Sequence, residues 1–175
     1  VLPTANFQPD IVVAGIRLGE PVIALTGLLV AVVCFYAWFR LGKTPVTDDT
    51  TRLFRIFFLL MGISTVIGAV VGHVFLYCLP FVFKTPGWGL GMVAVSALEQ
   101  AAIVRARPYL KPFWGKALTW ANIVELTLAL WFVSSTLWFP AVEMHSAFGL
   151  LCVVAPLELW YYRKTGSKES RYLWA

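Results

Sequence analysis

The chain has 175 residues, of which 59% are hydrophobic and only 13% charged, and its mean hydropathy of +0.78 lies well beyond that of a water-soluble domain. A membrane-spanning helix uses about 20 apolar residues, so five or six spans fill the length and a separate soluble domain is excluded. The net charge of +5 does not require nucleic acid, because a cytoplasmic rim facing anionic lipid accounts for it.

In chain order, residues 1–19 read as an external segment with little helical pattern, and their opening VLPTANFQPD lacks the basic n-region and cleavage site of a signal peptide. The first span then serves as its own insertion signal. Apolar runs follow at about 20–39, 56–78, 87–104, 117–138 and 142–162, each bounded by charge or proline. They are continuous and do not alternate, which argues against a membrane β-barrel. The prediction is an all-α bundle of five transmembrane helices over 20–162, with a basic tail over 163–175. The third run is the shortest and carries Glu99 and Gln100. Between the fourth and fifth runs FPAVE leaves almost no loop, so those helices are antiparallel neighbours.

Five spans sort the basic residues by side. Arg40, Lys43, Arg52, Arg55, Arg105, Arg107, Lys111, Lys116, Arg163, Lys164, Lys168 and Arg171 fall on one side, and only Arg17 and Lys84 on the other. The positive-inside rule places the N-terminus outside and the C-terminus in the cytoplasm. Tyr77, Trp88 and Trp138 mark the outer rim, while Trp38, Trp114, Trp120 and Trp160 mark the inner one. The expected location is a multi-pass position in a cell membrane, of the bacterial inner or plasma type. Cys34, Cys78 and Cys152 form no C-x-x-C pair and read as free thiols.

Ionisable side chains inside a bilayer are costly and face protein, water or a ligand. Counting about 1.5 Å per residue sets His73 and His145 roughly 5–8 Å below the outer surface, and Glu99 and Glu125 about 18–20 Å down. At the outer level Ser64, Gly68 and Gly72 form a small-residue stripe for helix packing, beside which His73 is expected to face His145. That pair admits four readings: a satisfied pair, a proton relay, the axial ligands of a haem, or part of a metal site with Glu20 as third ligand. Glu20 precedes Pro21 and also suits a helix first turn, where negative charge complements the dipole. At the inner level Glu99 and Glu125, with Asn122 one turn away, make either a proton or cation site or a neutral clamp between helices three and four. At least one of the two carboxyls is expected to be protonated. Glu158 lies deeper, within reach of the inner Arg and Lys residues.

GEPVIALTGLLVAVVCFYAWFRL, FFLLMGISTVIGAVVGH and HSAFGLLCVVAPLELWYYRKTG resemble a family of small, uncharacterised, mainly bacterial multi-span membrane proteins. That resemblance implies a shared fold and no mechanism. A more distant resemblance is to the superfamily of alkaline ceramidases and progestin and adiponectin receptors, seven-span proteins with a zinc-dependent amidase site. Their pattern has Ser and His on an early span, Asp on the next and His-x-x-x-His on the last. Ser64, His73 and His145 match part of it, but residue 149 is glycine and no aspartate lies within a span.

Together these features predict a buried polar site of His73, His145, Glu99, Glu125 and Asn122 that binds a small ligand, lipid or ion. One alternative is a structural subunit that docks by its small-residue stripe in a homo-oligomer or larger membrane complex. Another is a metal-dependent hydrolase or haem protein using His73 and His145. Membrane lipids are the expected partners.

Overall fold

A computed structural model describes residues 10–44, 48–75 and 77–166; the first nine residues and the end of the expected basic tail, 167–175, lie outside them. Five helices are long and apolar enough to cross a membrane, as the five runs predict. We label them α1 (Pro21–Gly42), α2 (Asp49–Val74), α3 (Phe81–Tyr109), α4 (Pro112–Thr136) and α5 (Phe139–Thr165). Four of them, α1, α3, α4 and α5, carry proline in the first turn of their α-helical stretch, where its missing N–H costs nothing and its fixed φ suits the helix. The exception, α2, starts seven residues before its apolar run because Asp48, in extended conformation, accepts a hydrogen bond from the Thr51 N–H at 2.7 Å. That is an N-cap.

Residues ahead of α1 add one feature the all-α expectation lacks, an antiparallel hairpin of β1 (Ile11–Val13) and β2 (Ile16–Leu18). Its two-residue turn, Ala14 and Gly15, has positive φ at both positions, as the turn that matches strand twist requires. The hairpin is fastened to the end of α2 by the Gly19 N–H, which donates to the Val74 carbonyl at 3.0 Å, and to the connection that follows α2 by Arg17 stacked over Tyr77.

Helix α3 is the centre of the bundle. It packs against α2, α4 and both halves of α5, while α1 lies on α2. Half of its most apolar stretch is buried, against 11–22% for the other four. The run that looked weakest in sequence is therefore the one with the most protein around it, and its polar residues are hidden by neighbours. Small side chains fill the interior, including Ala24, Ala31, Ala69, Ala94, Ala101, Ala102 and Ala106, while Leu25, Val32, Trp131 and Leu151 point outward and are 58–70% exposed.

Two helices change pitch. In α2 the stretch Gly68–Val74, and in α5 the stretch Gly149–Val154, are π-helical, so that the Phe75 N–H donates to the Val70 carbonyl five residues back. The wider turns rotate the following side chains relative to a regular helix. Between α4 and α5 the chain reverses on Leu137 and Trp138 alone, with Leu137 left-handed (φ 53°). FPAVE is thus the first turn of α5 and not a loop.

Candidate functional site

Three of the expected residues converge from three helices. Glu99 of α3, Glu125 of α4 and His145 of α5 bring one ligating atom each within 4.8 Å of one another. The His145 ring is buried; its Nδ1 lies 2.8 and 2.9 Å from the two Glu125 oxygens, and its Nε2 lies 3.1 Å from the Met92 carbonyl oxygen of α3. A carbonyl only accepts, so Nε2 carries a proton and donates to it. Nδ1 is then left facing Glu125, either sharing a proton with that carboxyl or offering its lone pair. Backbone geometry has chosen the tautomer.

Glu99 is 1% exposed, and its Oε1 has no hydrogen-bond partner among the described residues. It fits because α5 has no side chain at Gly149, where a Cβ would stand 3.0 Å from Glu99 Cδ and 2.9 Å from Val95 Cγ1. The titratable groups that cluster with Glu99 are Glu125 and His145. Two carboxyls and an imidazole thus meet in a low-dielectric interior, with one oxygen left bare.

On its outer side this cluster borders an apolar groove of about 550 Å³ between α4 and α5. Leu128, Ala129, Phe132, Ala141, Met144 and Phe148 line it, and Glu125 and His145 form its polar end. The Glu125 side chain is 29% exposed and that of His145 only 1%, so Glu125 stands at the boundary between groove and interior.

Other expected residues go elsewhere. His73 does not meet His145: its Nδ1 lies 2.5 Å from Glu20 Oε2, whereas both ring nitrogens of His145 are engaged with Glu125 and Met92. Neither a bis-histidine haem site nor a metal site of His73, His145 and Glu20 is assembled. Counting depth at Cα set Glu99 too far from His145, because its side chain spans several ångströms and leans toward the N-terminus of α3, the side on which His145 reaches Met92, and because α5 starts at Phe139 and not at 142, which sets His145 deeper. Glu99 therefore reaches up to the level of His145. Glu20, left-handed at φ 41° and the N-cap residue of α1, makes no capping bond; it binds His73 beside a separate cavity of about 430 Å³ among α1, α2, α3 and α5. Asn122 clamps helices, its Nδ2 donating to the Ser96 carbonyl at 3.0 Å while the Ser96 hydroxyl donates to Asn122 Oδ1.

The packing stripe is also redistributed. Ser64 donates to the Gly87 carbonyl at 2.8 Å, joining α2 to α3. At Gly68 a Cβ would meet nothing within 4 Å, and at Gly72 only Lys84 Cγ at 4.0 Å. Closer approaches fall at other glycines, among them Gly27 of α1 against Ala69 Cβ at 3.2 Å, Gly87 of α3 against Ile67 Cγ2 at 3.2 Å and Gly91 of α3 against Ser64 Oγ at 3.0 Å. The π-helical turns starting at Gly68 swing the stripe out of line. Glu158 pairs with Arg105 at 3.1 Å, within the reach expected of the inner basic residues.

Sequence reasoning placed Gly149 in a stripe of small residues with His145, Cys152 and Pro156, but missed the Met92 carbonyl and the room that Gly149 leaves for Glu99. A glycine one turn after the only other histidine in the chain was the available signal. A model of a family of unknown function, DUF6962, matches residues 22–175. No curated protein and no solved structure matches the chain.

Proposed function

This chain belongs to the DUF6962 family of unknown function, and from the meeting of Glu99, Glu125 and His145 we propose that it is an integral membrane protein that binds a small ligand within its helix bundle. The ligand enters from the bilayer through the groove between α4 and α5 and sets its polar end against Glu125 and His145. One observation carries this reading: a buried Glu99 oxygen without a partner beside a histidine whose tautomer is held by Met92. Native proteins satisfy such groups, and one left bare in the interior marks a place for something else.

Membrane insertion is supported by an outward surface of large apolar side chains over an interior rich in alanine, as close helix packing in a bilayer favours. The charge asymmetry supports an external N-terminus and a cytoplasmic C-terminus. Of the stripe on which the docking alternative rests, Ser64 bonds within the chain to Gly87 and Gly68 borders the cavity among α1, α2, α3 and α5.

The test is extraction of small molecules from the full chain purified in mild detergent, followed by mass spectrometry. Wild type is expected to carry a bound amphiphile that is absent from Ala129→Trp, which fills the groove. An empty wild type, or a ligand kept by Ala129→Trp, overturns the proposal.

A further inference from the structure

We infer that Glu99, Glu125 and His145 bind one divalent first-row transition-metal ion of the zinc class. This rests on the ligand site proposed above and names what occupies its inner end.

The argument starts from what a proton leaves undone. A proton shared between His145 Nδ1 and Glu125 satisfies those two groups but does nothing for Glu99 Oε1, which has no partner among the described residues. A divalent cation satisfies all three donors at once. It also brings the charge of two carboxylates and a neutral imidazole to zero, the state a low-dielectric interior favours.

Donor chemistry selects the class of ion. Carboxylate oxygen and imidazole nitrogen suit zinc and its first-row neighbours, whereas magnesium and calcium call for six or more oxygens. The second layer is already built: a metal-bound histidine characteristically donates its other ring N–H to a carbonyl or carboxylate, and His145 Nε2 does so to the Met92 carbonyl at 3.1 Å. Metal bonds of about 2.0–2.2 Å place neighbouring donors roughly 3.5 Å apart, closer than the 4.8 Å span of the three atoms here. Glu99 makes no hydrogen bond that holds it back, so its carboxyl closes that gap by a side-chain rotation. Three protein ligands leave one coordination position for a fourth donor, and Glu125 also lines the groove.

Zinc content and zinc titration of the full chain in detergent, after chelator treatment, test the inference. Wild type is expected to take up one zinc per chain. Glu99→Gln, Glu125→Gln and His145→Ala are each expected to weaken binding by more than about a hundredfold, the upper end of what losing a mere second-layer partner costs. His73→Ala should bind as wild type does. Substoichiometric zinc on wild type, or unchanged affinity in Glu99→Gln and His145→Ala, overturns the inference. X-ray absorption on zinc-loaded wild type gives an answer independent of how the variants fold: one imidazole with carboxylate oxygens supports the site, and a sulfur ligand or a shell of water alone rejects it. The extraction experiment separates the two claims. An amphiphile retained by wild type that binds no zinc leaves the ligand site standing without the metal, and zinc bound with no extractable ligand leaves the metal without the ligand.

Discussion

A Cβ added at Gly149 would lie 2.9 Å from Val95 Cγ1 and 3.0 Å from Glu99 Cδ, tighter than packed side chains tolerate. Gly149→Ala is therefore expected to cost about 1–3 kcal/mol, read from thermal unfolding in detergent. Combined with Glu99→Ala, part of that cost should disappear, because the two substitutions share one contact, while the approach to Val95 Cγ1 stays. Asp48 offers a test at the opposite end of α2. Hydrogen bonds from the Thr51 side chain and backbone N–H hold its carboxyl below the ordinary carboxylate range. A group lowered in the folded state stabilises it above its unfolded value, about pH 4, and that stabilisation is lost as pH falls through the folded value. Asp48→Ala should cost about 1 kcal/mol at neutral pH. Asp48→Asn should keep the cap and lose this pH dependence, as unfolding measured from neutral to acid pH will show.

Between elements, close approach is what the small residues provide, and it differs from what their spacing suggests. Gly27→Leu is expected to force α1 off Ala69 and destabilise by about 1–3 kcal/mol, whereas Gly68→Ala, with nothing within 4 Å of the new methyl, should be neutral or slightly stabilising. Parallel unfolding curves check both. The pair Arg105 and Glu158 ties α3 to the end of α5, with side chains 16% and 4% exposed. Arg105→Met removes a hydrogen bond to the buried Glu158 carboxylate and should cost about 1.5–3 kcal/mol, read from the same unfolding curves. Around a regular helix Glu158 would point about 220° away from His145. The π-helical stretch Gly149–Val154 absorbs part of that rotation, which is how both residues come to be buried.

For the whole molecule, the proposed topology sets the hairpin end of the bundle outside the cell. Cys78 is exposed near that end, in the connection between α2 and α3, whereas Cys34 is buried in α1 and Cys152 lies midway along α5. A membrane-impermeant maleimide applied to intact cells is expected to label Cys78 and to leave the other two untouched. Labelling of Cys78 only after the cells are opened would invert the topology. The aromatic clusters agree with two distinct ends. Phe81, Trp88 and Phe139 meet near the hairpin, and Tyr109, Trp160 and Tyr161 meet at the opposite end.

Composition and hydrophobic pattern by themselves determined the helix count, the short connection before α5 and the few polar residues that deserve attention. These properties depend on local content: an apolar run of sufficient length is helical whatever surrounds it, and Glu99, Glu125, His73 and His145 stand out because an apolar chain otherwise has no use for them. Pairing was beyond reach. A helical repeat assigns each Cα a level and a face, but it does not say which helices adjoin, how far a glutamate reaches, or where a π-helical turn rotates the face. Those three facts separated His73 from His145, gave Glu20 to the first and Glu125 to the second, and brought Glu99 against Gly149. Tertiary packing decided the site because its donors come from α3, α4 and α5, and only the way α4 and α5 close around α3 puts them within reach of one another.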